Sequence, residues 1–343
     1  MAQINKSDEY FNTLIWTGDG VTRSITGVNF QPDFVWIKKR SGADNHHVFD
    51  VVRGAGNRLL TDSTAAEGVG TNELTAFNSD GFTLSGNGAV NGSGATYVGW
   101  NWLGANGTAS NTNGSITSTV SANTTSGFSI VGYTGTGSNA TVGHGLGTSD
   151  IGTIIVKNRD SGTDNWWVFH KSIGATGGLK LNGTDATITA STLWNDTAPT
   201  SSVFSIGTGS GLNASGQDLI AYVMAEKKGF SKFGSYTGNG STDGTFVYTG
   251  FKPAWVVAKC SSTAGELWNL WDNKRFGYNN DNIRLFPSSS IAESGSGEID
   301  LLSNGFKLTS TNTSNNGSGR TYIYMCFAEN PLVGTNNIPA TAR

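Results

Sequence analysis

Four histidines, a scatter of acidic loop residues and several tryptophans beside polar side chains are the groups with which this chain could do chemistry. His46, His47, His144 and His170 are its only imidazoles. No pair has the HxH or HExxH spacing that closes a metal site. His46 and His47 are adjacent, and neighbouring side chains of a strand point to opposite faces, so the two cannot hold one ion together. His170 stands where related segments carry Asp50 and Asp272, which reads as a satisfied or surface position rather than a catalytic one. Asp44 and Asp164 occupy similar loops, with Asp160 nearby. A glycosidase uses a pair of carboxylates, but Asp is also an ordinary turn residue, and the solvated reading is preferred. Serine is abundant without a GxSxG elbow. The glycine-rich stretch 135–147 lacks the lysine of a phosphate loop. No catalytic residue, metal or cofactor is therefore expected, and the protein is expected not to be an enzyme.

The tryptophans divide into two groups. Trp36, Trp100 and Trp255 lie in alternating apolar runs and are assigned to a core. Trp166, Trp194 and Trp268 lie in Asp164-Asn165-Trp166-Trp167, Leu193-Trp194-Asn195-Asp196 and Glu266-Leu267-Trp268-Asn269. An aromatic ring flanked by Asn and Asp can stack on the C–H face of a sugar while the polar groups bond its hydroxyls. These three are the candidate carbohydrate-binding residues, and partial burial at a domain or subunit interface is the competing reading. Asp50–Arg53 and Asp272–Arg275 read as structural ion pairs at a strand end. Cys260 and Cys326, the only cysteines, fall in apolar strand-like runs. They read as buried free thiols, with a single bridge as the alternative.

The elements that must carry these residues are short strands. Charged residues are only 14% of the chain and Gly numbers 48, yet 10 Trp, 17 Phe and 9 Tyr are spread along it. Low charge and high Gly suggest disorder, but a disordered chain lacks large apolar side chains. Strands joined by tight Gly and Asn turns fit both facts. The net charge of −3 and the lack of a Lys/Arg cluster argue against nucleic-acid binding. No apolar run approaches the ~20 residues of a membrane span, and Met1 to Tyr10 shows no signal-peptide core.

Three anchors recur in constant order. An aromatic precedes Thr-Gly-x-Gly at Trp16–Gly20, Tyr133–Gly137 and Tyr236–Gly240. An apolar run closed by Lys follows at Phe34–Lys38, Ile154–Lys157 and Trp255–Lys259. Asn-x-Ser-Gly opens the last strand at Asn91–Gly94, Asn213–Gly216 and Asn316–Gly319. Between the second and third copies the first and last anchors both shift by 103 residues (237 against 134, 316 against 213). Any one anchor is cheap in a Gly-rich chain, whereas three at matched spacing mark an internal repeat. Alternation puts Val98, Trp100 and Trp102 on one face of the last strand, with Ile323, Met325 and Phe327 in the same register.

The expected fold is all-β: three tandem β-sandwich domains of jelly-roll or lectin-like type, at 1–105, 106–228 and 229–331, followed by an extended polar tail at 332–343. The stretch 106–125 reads as a Gly/Ser/Thr/Asn linker that could add an edge strand at Ile116–Val120. Glu226–Gly229 is a much shorter joint, so the flanking domains should pack closely. Each copy is expected to close its own apolar interior and to leave only loops facing partners.

The wording of several segments resembles a repeat family found in bacteriophage virion proteins, marine phages especially. The likeness is carried by Tyr10-Phe11-Asn12-Thr13, Trp16–Gly20, Phe30–Lys38, Asp80-Gly81-Phe82, Lys232–Gly240 and the closing Pro339–Arg343, and it covers nearly the whole chain. It implies a structural component on the outside of the virion, of the tail-fibre or host-attachment type, and transfers no catalytic residues. Fibre proteins usually begin with an anchoring segment, whereas here the first repeat starts within about ten residues of Met1. That favours the alternative of a capsid-decorating or head-fibre protein. The expected partners are other virion proteins, further copies of the chain in a trimer, and host-surface glycan, with no nucleic acid and no membrane insertion.

Overall fold

The structure is a computed structural model that describes residues 3–275, 279, 282–295, 297–334 and 339–341. The chain is all-β, as expected, with antiparallel sheets and only single-turn helices among the described residues. Three large sheets share one strand order. In the first, Phe11–Thr17 pairs with Thr96–Trp102, which pairs with Phe34–Lys39, then His46–Asp50 and Leu59–Leu60. The second places Phe128–Thr134, Asp218–Ala225, Ile151–Asn158 and Trp167–His170 in the same order. The third does so with Ser231–Thr237, Thr321–Pro331, Phe251–Cys260 and Asn269–Asp272. Each has a small companion sheet: Arg23–Thr26, Gly81–Leu84 and Leu74–Asn78; Ala140–Gly143 and Val203–Ile206; Phe246–Tyr248, Gly305–Leu308 and Ile299–Leu302.

The first and last sequence anchors meet in space. Trp16 Nε1 donates to Val90 O (3.1 Å), Tyr133 Oη to Leu212 O (2.8 Å) and Tyr236 Oη to Asn315 O (2.7 Å). Next to each ring, the backbone of Gly18, Gly135 or Gly238 lies against the Asn-x-Ser-Gly turn. A Cβ there would stand 2.2, 2.3 or 2.4 Å from the carbonyl oxygen of Gly92, Ala214 or Gly317. Turn chemistry and core packing are thus fixed by one motif pair.

Three hydrophobic clusters each fill the space between a large sheet and its small companion. The fourth and largest is shared by all three repeats, which corrects the expectation that only loops would face neighbours. Phe34 and Trp36 point into the shared core and Val35 and Ile37 into the first repeat's own. Ile155 alternates with Ile154 and Val156 in the same way, and Trp255 and Val257 with Val256 and Ala258. A strand buried on both faces reads as a continuous apolar run, and these are the runs that the terminal lysines close. Around the centre Trp102 packs within 5.5 Å of Trp255, 5.6 Å of Phe327 and 6.2 Å of Phe128, ring centre to ring centre.

Two segments differ from their sequence reading. The 106–125 stretch carries Ala109–Asn111 and Ser118–Asn123, both paired into the second large sheet, and Ile116 bridges Val142 in parallel. The final segment folds back on itself, with Val333 bridging Pro339 and Ala340 N donating to Leu332 O. Residues 335–338, 342 and 343 of that tail lie outside the described residues.

Candidate functional site

The buried polar groups gather where one repeat meets the next. Lys38, Lys157 and Lys259 end equivalent strands, and each is fully buried. Lys38 Nζ donates to Ser290 O of the third repeat, Lys259 Nζ to Thr184 O of the second, and Lys157 Nζ to Thr64 O of the first. The contacts run first on third, third on second and second on first, so they close a ring. Burial pushes all three ammonium groups down to about 8, while the carbonyl oxygens around them supply the acceptors an ammonium needs.

A second layer repeats the ring. Trp166 Nε1 donates to Leu60 O (2.8 Å) and Trp268 Nε1 to Lys180 O (2.9 Å). His46 holds the equivalent place in the first repeat. Its Nδ1 accepts from Trp36 Nε1 (3.0 Å), so the ring proton sits on Nε2. Backbone bonds cross the same three seams in the reverse sense: Glu293 N to Arg40 O, Glu67 N to Arg159 O and Thr187 N to Ser261 O.

The third layer is charged at two seams and not at the other. At the first, Trp100 Nε1 donates to Asp272 Oδ2 (3.0 Å), Asp272 pairs with Arg275 (2.6 Å), and Glu293 joins Arg275 (3.6 Å) to Arg40 (2.9 Å). At the next, Tyr222 Oη donates to Asp50 Oδ2 (2.8 Å), Asp50 pairs with Arg53 (2.5 Å), and Glu67 joins Arg53 (3.0 Å) to Arg159 (2.7 Å). At the remaining seam the equivalent positions are Met325, His170, Ile173, Thr187 and Ser261. His170 Nε2 lies 3.1 Å from Tyr324 O, and burial drives its ring down to about 4, so it is neutral. Burial alone would raise Asp272, but Arg275 and the Trp100 N–H hold it below the usual carboxylate range.

These positions settle the earlier candidates. The Asp50–Arg53 and Asp272–Arg275 pairs are present and buried, and His170 is a satisfied interior group. Trp166, Trp194 and Trp268 are 0%, 1% and 0% exposed, so no sugar ring can reach them. Trp166 and Trp268 lie at seams between repeats, and Trp194 packs edge-on to Phe169 inside the second repeat. Their polar neighbours suggested exposure, whereas those neighbours bond across or within the fold. Asp44 Oδ1 receives Asn45 N and lies 3.5 Å from His47 Nε2. Asp164 receives Asn158 and Ser210, and Asp160 receives Asp218 N. Asp44 serves its own loop, while Asp164 and Asp160 tie theirs to the segments of Ser210 and Asp218. His47 also meets Glu73 (3.1 Å), on the face opposite to His46. His144 bridges Thr200 O and Leu146 N. Both cysteines are free and buried. Among the described residues no group of three metal-ligating side chains comes together.

The seam lysines were visible in the sequence only as repeat markers, and their cross-repeat role had no local signal. Phe246 and Tyr248 escaped notice too, although comparing Phe246-Val247-Tyr248 with Ser24-Ile25-Thr26 shows two aromatics where the first repeat is polar. Open clefts indent the surface. One of about 870 Å³ lies among Gln3, Lys6, Tyr10, Lys252 and Asn330, and one of about 390 Å³ beside Tyr248.

A family model described as "Domain of unknown function (DUF7483)" matches residues 6–331, and the chain belongs to that family. The match takes in all three repeats. No curated protein and no solved structure matches the chain.

Proposed function

We propose that this DUF7483 member is a non-enzymatic structural protein of the bacteriophage virion surface, acting in host attachment as a tail-fibre component. The observation that carries this reading is the closed ring of seams. The strongly buried cations and the Asp50 and Asp272 carboxylates are spent on holding one repeat against the next, which serves rigidity rather than turnover. The likeness of the sequence to virion repeat proteins supplies the location, and the low charge and dense turns suit a particle component. A trimer of chains was expected by analogy with phage appendages, symmetric assembly being one way of covering the unpaired edges of short β domains. The ring already joins three repeats within one chain, and light scattering of the purified protein tests whether further copies assemble on it.

The test of the function is the particle itself. Antibody labelling and protein quantification of purified virions should find this chain at the tail in a handful of copies. Hundreds of copies over the shell would instead make it a capsid-decorating or head-fibre protein. Absence from purified particles overturns both.

A further inference from the structure

We propose that the outward face of the strand Phe246–Tyr248, with the cleft beside it, binds a glycan chain. This deepens the attachment reading and rests on it for the biological source of the ligand. Phe246 and Tyr248 are 46% and 58% exposed, and no other aromatic among the described residues is as open. They flank Val247, which is buried in the third repeat's core, so both rings stand on the same side, about 7 Å apart along the strand. The fold does not ask for them. The equivalent ladders are built with Ser24 and Thr26 against Thr83 and Gly81, and with Thr141 and Gly143 against Ser205 and Val203.

The surroundings suit a sugar. The Tyr248 ring lies beside Gly250, where an added Cβ would come 3.6 Å from the hydroxyl, and the rest of the ring is open to solvent at 58% exposure. The 390 Å³ cleft at its edge is lined by Asp150, Glu226, Lys228 and Lys232. Glu226 is held by Lys171 and Lys232, while Asp150 and Lys228 are exposed. At the other end Lys307, opposite Phe246, pairs with Asp243. Carboxylates accept from sugar hydroxyls and ammonium groups donate to them, while C–H faces pack on the rings.

The test uses the full chain on an array of hexose, hexosamine and uronic-acid oligosaccharides. Phe246→Ser and Tyr248→Thr install the residues the first repeat uses on the same ladder, and their thermal melts should match the wild type. At least one oligosaccharide class should bind, and each substitution should weaken that binding tenfold or more. Failure of every oligosaccharide to bind overturns the proposal, as does binding indifferent to both substitutions. Sedimentation showing that the substitutions dissolve a wild-type oligomer would make the face a subunit contact and overturn it equally. Particle labelling is independent of this result, so absence from virions would sink the attachment reading and leave the glycan site standing.

Discussion

The Tyr222 hydroxyl of the second repeat donates to Asp50 Oδ2 of the first at 2.8 Å, and the same oxygen accepts from Arg53 Nε. A phenol from one repeat thus completes the ion pair of another. Trp100 does the same for Asp272 and Arg275 at the neighbouring seam. At the remaining seam Met325 has no proton to give, and the acid, the arginine, the linking glutamate and the outer arginine are all replaced with it. The five positions behave as one unit because each charge needs the next. A buried carboxylate without its cation, or a cation without its carboxylate, is strongly destabilising.

Tyr222→Phe tests the first link. It removes one bond to a buried carboxylate while leaving the ring in place, and should lower stability by about 1.5–3 kcal/mol. Asp50→Ala strands Arg53 in the interior and should cost more, about 3–5 kcal/mol. Urea midpoints at constant slope report both. Equal losses would mean that the phenol and the guanidinium are not part of one chain of contacts.

The uncharged seam gives the converse experiment. His170→Asp alone should destabilise the fold strongly, because Ile173 supplies no cation and Met325 no donor. Adding Ile173→Arg and Met325→Tyr should recover much of the loss, through a coupling energy on the order of 1–3 kcal/mol among contacting sites. A triple variant no more stable than His170→Asp would show that the seam lost its charges for reasons of space rather than as a linked set.

The sequence announced the repeats because their turns cannot vary. Gly18, Gly135 and Gly238 must admit a backbone carbonyl, and the side chains of Asn91, Asn213 and Asn316 accept from the N–H of the residue that follows each glycine, Asp19, Thr136 and Asn239. The shared core was hidden by the same rule that made the strands legible. Phe34-Val35-Trp36-Ile37 is apolar at every position, and periodicity cannot say whether the second face meets a companion sheet or another repeat. Trp166 and Trp268 misled because their polar neighbours are the loop residues of a seam, which look solvated until the partner strand is in view. Phe246 and Tyr248 are the opposite case: they look like core residues and are exposed.

Trp166 and Trp268 should therefore behave as core residues. Trp→Ala at either should cost about 3–5 kcal/mol. Trp→Phe keeps most of the packing and takes one of two donors from Leu60 O or Lys180 O, which retain Ser63 N and Gly183 N, at about 0.5–1.5 kcal/mol. Fluorescence-detected unfolding measures the losses, and glycan binding of the folded variants should be unchanged. A surviving fold with lost glycan binding would return these rings to the surface.

Acid should find His170. Its imidazole is held down to about 4 by burial, against an ordinary value near 6.5. Between those limits the unfolded chain takes up a proton that the native protein refuses, so stability falls as pH drops from about 6.5 to 4, by up to ~1.4 kcal/mol per pH unit for this one group. His170→Gln keeps a donor for Tyr324 O and an acceptor for Ser172 N but does not titrate. The gap in stability between wild type and variant should close or reverse as the pH is lowered through that window. Asp33, raised to about 6 by burial, pulls the other way in both proteins and cancels from the difference. Parallel pH profiles would place the charged form of His170 within reach of water.

The glycine turns make an ordering that separates crowding from backbone strain. Gly107 has no atom within 4 Å of where its Cβ would stand and needs no left-handed backbone, so Gly107→Ala should be neutral or stabilise by about 0.4–1 kcal/mol through the unfolded chain. Gly27 is equally open but has φ of +91°, so Gly27→Ala should cost about 1–2 kcal/mol of conformational strain alone. Gly18 carries no such φ, yet its Cβ would fall 2.2 Å from Gly92 O, a backbone atom that cannot swing aside. Gly18→Ala must part the two anchors, pull Trp16 Nε1 from Val90 O and open the first repeat's own core, and should cost the most of the three. The same holds for Gly135→Ala against Ala214 O and Gly238→Ala against Gly317 O, so the penalty should recur in every repeat. Melting temperatures in the order Gly107→Ala, Gly27→Ala, Gly18→Ala support the anchor contact as the rigid joint of the repeat. A mild Gly18→Ala variant would mean that the turn yields and that the spacing of the anchors is kept for some other reason.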